Sequence, residues 1–303
     1  MRRRNLALIR PCLIKNGGNS RTLSVKKNLS QFSRLIAALC VLAPNAARAH
    51  GDVHEEIAAL TKRLAETPAD AKLYLQRGEL HRAHQDWPAA AADFDKAEAL
   101  DPALVFVDLA RGGMLGEAGR TDAAKAALDR LISRRPDHAP AYAARARVLA
   151  QALSWEAAAE DFARAIAHSK EPEPVLYIER GRAFRAMRKM DEAIRALDEG
   201  IARMGPLIVL MQAALDLETE DGRTDAALAR LGKITDASPR KERWLARRGV
   251  LLEKAGRTDA AREAFAAAQS ALATVPADRR STAAMQDLAK SIDAALTRIP
   301  SAK

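Results

Sequence analysis

The stretch Gly119-Arg120-Thr121-Asp122-Ala123-Ala124 decides the fold, because the same six residues return at 222–227 and again at 256–261. The last two copies lie 34 residues apart, and a small residue keeps this interval along most of the chain. Its positions are Gly78, Gly112, Ala146, Gly181, Leu215 and Gly249, among which Leu215 is the large exception. A fixed interval of this length indicates an array of structural repeats around one continuous core.

Each interval has the pattern of two amphipathic helices joined by a short turn. The chain is rich in alanine and poor in β-branched residues, which favours helix throughout. At the turn, we expect Gly119 to end the first helix in a left-handed conformation, and Thr121 or Asp122 to cap the second. The sequence predicts six such repeats, at 71–104, 105–138, 139–172, 174–207, 208–241 and 242–275.

The two ends of the array need a cover, because a terminal repeat otherwise exposes its core. Residues 50–70 are predicted as an N-terminal helix, and residues 277–303 as a C-terminal capping helix. Apolar residues recur at helical spacing in both segments. They are Val53, Ile57, Leu60 and Leu64 in the first segment, and Met285, Leu288, Ile292, Ala295, Leu296 and Ile299 in the second.

With these residues, the chain resembles the tetratricopeptide-repeat family over about 71–275. The resemblance rests on the small-residue series, on the second-helix alanines and on a large apolar residue four positions after each alanine. Those alanines are Ala90, Ala124, Ala158, Ala193, Ala227 and Ala261. The resemblance implies an all-α fold, a right-handed superhelical solenoid of helix-turn-helix repeats. It also implies a non-enzymatic interaction scaffold or adaptor that binds a partner peptide or helix in its concave groove.

In the family, this groove is lined by the first helix of each repeat. Projecting the equivalent face onto this sequence gives a set of candidate partner-binding residues. They are Leu75, Glu79, Arg82, Arg147, Arg182, Arg185, Gln212, Asp216 and Glu220. The third and fourth repeats supply arginines and the fifth supplies acids, so a peptide of matching polarity would bind in register. An ordinary solvated face with unremarkable charge is the alternative interpretation.

The net charge of +10 suggests a nucleic-acid ligand, but the excess of basic residues lies entirely in residues 1–49. Residues 1–49 contain ten lysines or arginines and no acid, and the remaining 39 basic residues balance the 39 acidic ones. The repeats therefore have no overall positive charge for a phosphate backbone, and no nucleic-acid partner is predicted.

Residues 1–49 have the pattern of a secretory signal peptide. Lys26 and Lys27 precede the apolar run 35–43, and Ala47-Arg48-Ala49 offers a cleavage site, so we expect a mature chain that begins at His50. The length of this segment suggests that residues 1–24 belong to a misassigned start. Export, with a periplasmic location in a Gram-negative bacterium, is the main prediction, and a mitochondrial presequence is the alternative. The mature protein would contain no integral membrane segment.

Histidine is the only residue type with a candidate chemical role. Both cysteines lie in the presumed signal, and no nucleophile, phosphate-loop or zinc-protease motif appears, so we predict no enzyme activity and no catalytic residue. A new terminus at His50 would place an amine and an imidazole near His54, a combination that suits copper, nickel or zinc. A metal-handling accessory protein is therefore the alternative function. Trp87 and Trp155 are predicted as packing residues.

Overall fold

The computed structural model describes residues 43–299, and side chains from Val53 onward. The described residues are helical apart from short connections, and they fall into two bodies, residues 43–59 and residues 60–299. The first body contains the beginning of helix α1, Ala43–Glu66, and the second contains the end of α1 and every later helix. The predicted all-α repeat solenoid is confirmed for the second body.

Helices α2 to α13 pack as six consecutive pairs, and a short turn joins the two helices of each pair. The pairs are α2 Ala71–Ala83 with α3 Trp87–Leu100, α4 Phe106–Glu117 with α5 Thr121–Arg134, α6 Ala139–Gln151 with α7 Trp155–His168, α8 Pro174–Ala186 with α9 Met190–Met204, α10 Ile208–Glu220 with α11 Thr224–Ala237, and α12 Glu242–Lys254 with α13 Thr258–Ala273. We call these pairs repeats 1 to 6.

The C-terminal cover was predicted as one helix over 277–303, but the structure divides it into two. The structure has a single turn, α14 Ala277–Arg280, and then a separate helix, α15 Ala283–Arg298, which packs on α13. The hydroxyls of Ser281 and Thr282 bond to backbone carbonyls of the preceding turn, and such local bonds compete with a continuous helix. Met285, Ile292 and Ala295 on α15 are buried, as their spacing predicted.

The turns confirm the role of glycine and correct the role of threonine. Gly119, Gly222 and Gly256 have φ between 71° and 73°, the left-handed conformation expected of them. Thr121, however, is the first residue of α5, and Arg120 occupies the cap position without any side-chain cap hydrogen bond. The same holds at the start of α11 and α13. The acid that follows each threonine instead places negative charge in the first turn of the helix.

Size complementarity within each repeat explains the small-residue series. A Cβ added to Gly112 would lie 2.5 Å from Cγ of Leu128, which is fully buried on the second helix of the same repeat. Gly249 is covered in the same way by the ring of Phe265, at 2.8 Å. In repeat 5, where Leu215 replaces the small residue, the two helices are the least closely apposed of the six pairs. The small residue thus allows two helices of one repeat to approach each other.

Two arginines beside this series, Arg77 and Arg145, pair with buried acids on the second helices. Arg145 donates two hydrogen bonds to Asp161, Nε to Oδ2 at 2.6 Å and Nη2 to Oδ1 at 2.8 Å. Asp161 is almost completely buried, and its hydrogen bonds raise the pKa of Arg145. Arg77 holds Asp93 in the same two-bond arrangement, at 2.8 and 2.6 Å. These pairs fix the two helices of a repeat against each other and leave the opposite face of the first helix for other contacts.

Candidate functional site

The first helices of the middle repeats line a series of adjoining cavities. The largest, of 830 Å³, lies between repeats 3 and 5, and we call it the central groove. Four predicted site residues line it: Arg147, Arg182, Arg185 and Glu220. Neighbouring cavities of 360 and 270 Å³ lie on either side. The first of these is lined by Glu79, Arg82 and Arg147, and the second by Arg182, Arg185, Asp216 and Glu220.

Two predicted site residues fall outside these cavities. Leu75 is half-buried and packs against the hydrophobic core of repeats 1 and 2, because its side chain belongs to the apolar stripe of α2. The role of Leu75 in partner binding stays a prediction. Gln212 is exposed on α10 but lines none of the three cavities.

The wall of the central groove combines small apolar residues with the aromatic side chains of Trp155 and Phe162. Ala150, Ala183 and Ala186 supply methyl groups, and Trp155 at the start of α7 is half-buried in the same wall. We had predicted Trp155 as a packing residue, by analogy with its counterpart Trp87, which does pack against the core of repeats 1 and 2. Trp155 also lines the central groove and is only half-buried, so part of its indole is accessible there.

Most charges of this face are paired across neighbouring repeats. Arg147 meets Glu179 at 3.0 Å, and Arg185 meets Glu220 at 2.7 Å. These pairs correct the predicted contrast between a basic middle and an acidic fifth repeat, because each repeat neutralises the next. Glu179 was missed in the sequence because it lies three residues before the projected Arg182, and Glu117 was missed although it occupies the position of Glu220 in repeat 5. The remaining cross-repeat pairs of this face are Arg82 with Glu117 and Asp216 with Arg247.

Two cations of the central groove lack a counter-ion within the described part of the chain. The guanidinium of Arg182, on α8, makes neither a hydrogen bond nor an ion pair with any residue that the structure describes. The same is true of Arg188, which lies in the turn after α8 with φ of 61°. Both side chains are exposed. The excess positive charge of the groove is therefore concentrated on these two residues.

The candidate metal site cannot be assembled from the described side chains. The side chain of His50 lies outside them, and His54 lies exposed near the beginning of α1. Among the side chains that are described, there is no group of three or more His, Cys, Asp or Glu residues that could hold a metal ion. Binding of copper, nickel or zinc by His50 and His54 stays a prediction.

A family model described as "Tetratricopeptide repeat" matches residues 109–174 and 213–276. These two segments of the chain are tetratricopeptide repeats. Proteins of this family are generally non-enzymatic and bind protein or peptide partners. The fold is thus consistent with an interaction scaffold.

One solved structure shares the architecture of this protein at low sequence identity, and a second is reported beside it. The C-terminal part of a TPR repeat-containing protein from Cytophaga hutchinsonii superposes with a TM-score of 0.53 and 12% identity, over 83% of this chain and 92% of that chain. A tetratricopeptide repeat protein from Parabacteroides merdae gives a TM-score of 0.49 and 18% identity, over 81% and 94% of the two chains. The sequence matches no curated protein significantly.

Among residues 43–299, no helix combines the length and the apolar character that a membrane span requires.

Proposed function

We propose that this protein is a non-enzymatic scaffold or adaptor that binds a peptide or helix of a partner protein in the central groove. The observation that carries the proposal is the groove itself, an 830 Å³ cavity lined by methyl groups, the indole of Trp155 and two unpaired guanidinium groups. Apolar surface supplies affinity, and a few polar groups fix the orientation of the bound chain.

The dimensions of this surface suit a polypeptide better than a small molecule. The smaller cavities continue the central groove towards α4 on one side and α10 on the other, so one continuous chain could contact several repeats. An extended peptide covers about 3.3 Å per residue, and a segment of some ten residues is therefore long enough to follow first helices through several repeats. Each repeat would then add its own contact to the total affinity.

Site-specific photo-crosslinking tests this proposal in the source organism. A photoreactive amino acid at Ala186, in the wall of the central groove, should capture the partner on illumination. The control position is Ala202, an exposed residue on α9, the second helix of the same repeat. Products that form at Ala186 and not at Ala202 support the groove as the binding surface. Identical products at both positions, or products at Ala202 alone, would overturn it.

We also propose export, on the strength of the sequence features of residues 1–49. A cut after Ala49 would remove residues 43–49 from α1 and leave the rest of that helix and all six repeats in the mature chain. N-terminal sequencing of the protein purified from the periplasmic fraction tests both the location and the cut. The proposal expects a chain that begins at His50, and recovery of the uncut chain from the cytoplasm would contradict it.

A further inference from the structure

Two positions on the first helices face each other across every boundary between repeats. One position directly follows the small residue of a repeat, and the other lies two residues before the small residue of the next repeat. Arg147 and Glu179 occupy this pair of positions between repeats 3 and 4, and Asp216 and Arg247 occupy it between repeats 5 and 6. Both are ion pairs, with opposite polarity. The geometry therefore joins an acid and a base wherever the sequence supplies them.

Between repeats 4 and 5, the same pair of positions is incomplete. Arg182 occupies the first position, but the second is Ala213 instead of an acid. Arg182 and Ala213 line one cavity of 270 Å³, which confirms that they face the same space. The other charges of this cavity already have partners, since Glu220 binds Arg185 and Asp216 binds Arg247. Arg182 therefore faces Ala213, whereas Arg147, at the equivalent position of repeat 3, faces the carboxylate of Glu179.

From this gap we infer that the preferred partner is an acidic peptide, and that Arg182 binds one of its Asp or Glu carboxylates in the space above Ala213. The inference rests on the proposed function, because it names the class of peptide that the groove selects. The bound carboxylate would take the place that Glu179 takes beside Arg147. Charge-assisted hydrogen bonds of this kind are about twice as strong as neutral ones, and a guanidinium can form two of them with one carboxylate.

The rest of the central groove extends the description of this peptide. Arg188 supplies a second unpaired cation, and Trp155 with the alanines of α6 and α8 supplies an apolar wall. The matching ligand therefore carries an acidic residue with an apolar or aromatic residue close to it. A phosphate backbone fits less well, because Arg182 and Arg188 are the two cations of the groove without an acidic partner among the described residues, and a continuous chain of negative charge would need more of them.

Selection from a library of random dodecapeptides displayed on phage tests the inference. Three forms of the full mature chain are compared: the wild type, Ala213→Glu and Ala202→Glu. Ala213→Glu places a carboxylate beside Arg182, as Glu179 does beside Arg147, and should compete with the peptide. Ala202→Glu makes the same change of charge on the exposed face of α9, outside the groove. Circular dichroism melting first establishes that each variant is folded.

The expected result is an enrichment of Asp and Glu among peptides selected by the wild type and by Ala202→Glu, and a loss of that enrichment with Ala213→Glu. Equal enrichment of acidic peptides by Ala213→Glu would overturn the inference. Selection of peptides with no acidic excess would also overturn it, while the groove itself would stand. If no sequence is enriched over a surface without protein, the proposed function fails together with the inference.

A direct measurement completes the test and covers the case in which Ala213→Glu does not fold. The acidic peptide most enriched by the wild type is labelled with fluorescein, and its dissociation constant is measured by anisotropy. Arg182→Gln should weaken its binding about tenfold or more, and Arg182→Lys should restore part of the loss because it keeps the charge. Arg195→Gln, on the exposed face of α9, is the matched control and should leave the affinity unchanged. Equal affinities for Arg182→Gln and Arg195→Gln would contradict the role of Arg182.

Discussion

Replacing Gly112 by alanine isolates the close approach of two helices on which the fold depends. Alanine in the interior of an exposed helix is normally about 1 kcal/mol more stable than glycine. At Gly112, however, the new methyl would lie 2.5 Å from Cγ and 2.7 Å from Cδ2 of Leu128. Leu128 is fully buried, and its Cγ is too close to the backbone to move aside by rotation of a distant bond. The helices must separate, and overpacking of this kind costs about 1–3 kcal/mol.

The matched control is Gly232→Ala on α11, where an added Cβ would meet nothing within 4 Å. This variant should be stabilised by up to about 1 kcal/mol, so the two glycine substitutions should change stability in opposite directions. Urea unfolding of both variants, followed by circular dichroism, measures the difference. Leu128→Ala removes the side chain that clashes, so adding Gly112→Ala to a Leu128→Ala variant should no longer lower the free energy of unfolding.

Three outcomes of this cycle would refute the reasoning. The first is that Gly112→Ala stabilises the protein as much as Gly232→Ala, which would mean that the two helices are not in contact at Gly112. The second is that Gly112→Ala still destabilises by the same amount when Leu128 is already alanine, which would place the cause of the penalty elsewhere. A loss of stability with Gly232→Ala would contradict the open space found around that residue.

The remaining predictions concern the turns, the buried ion pairs and one histidine. Leu153→Gly should raise the free energy of unfolding by about 0.5–1 kcal/mol, because Leu153 has φ of 60° and is 69% exposed, and thermal melting measures this. Arg145→Leu should cost about 1–3 kcal/mol in urea unfolding, because it removes two hydrogen bonds to the buried carboxylate of Asp161 and leaves the one from Arg164 at 2.9 Å. Arg147→Leu, at a largely exposed pair, should cost less than about 1 kcal/mol. His138→Asn should reduce the loss of stability between about pH 7 and pH 5, as urea unfolding at each pH will show.

The sign of the last prediction follows from the environment of His138. Burial, and then the charge of Arg135, lower the pKa of His138 from its ordinary value of 6.5. Its Nδ1 accepts a hydrogen bond from the backbone N–H of Ala141 at the start of α6, which requires the neutral ring. The unfolded chain therefore binds more protons below pH 6.5, so the contribution is complete above that pH and is lost as the pH falls. A pH profile unchanged by His138→Asn would contradict this account.

The regular part of the fold was predictable because repetition shows the same physical requirement many times. The small-residue series located the helix contacts, and the glycines at 119, 222 and 256 located the left-handed turns. Repeats 1, 3 and 4 use Gln85, Leu153 and Arg188 in the same left-handed conformation, and no propensity argument would have selected these residues. Context imposes the conformation there, since the flanking helices fix the path of the turn.

The candidate site was predicted only in part, because projecting one helical face ignores what the next repeat presents to it. Arg147 and Arg185 were found, but their neutralisation by Glu179 and Glu220 depends on contacts between helices more than thirty residues apart. Trp155 was predicted as a packing residue together with Trp87, and its place in the wall of the central groove was not predicted. The difference between a paired and an unpaired arginine became visible only in three dimensions.

Quenching of single tryptophans gives the most direct test of the central groove as the binding surface. The chain has three tryptophans, Trp87, Trp155 and Trp244, and replacing two of them by phenylalanine leaves one emitter. When a peptide selected by the wild type is added, iodide quenching of Trp155 should fall while quenching of Trp87 stays unchanged. Protection of Trp87 with no change at Trp155 would contradict the account.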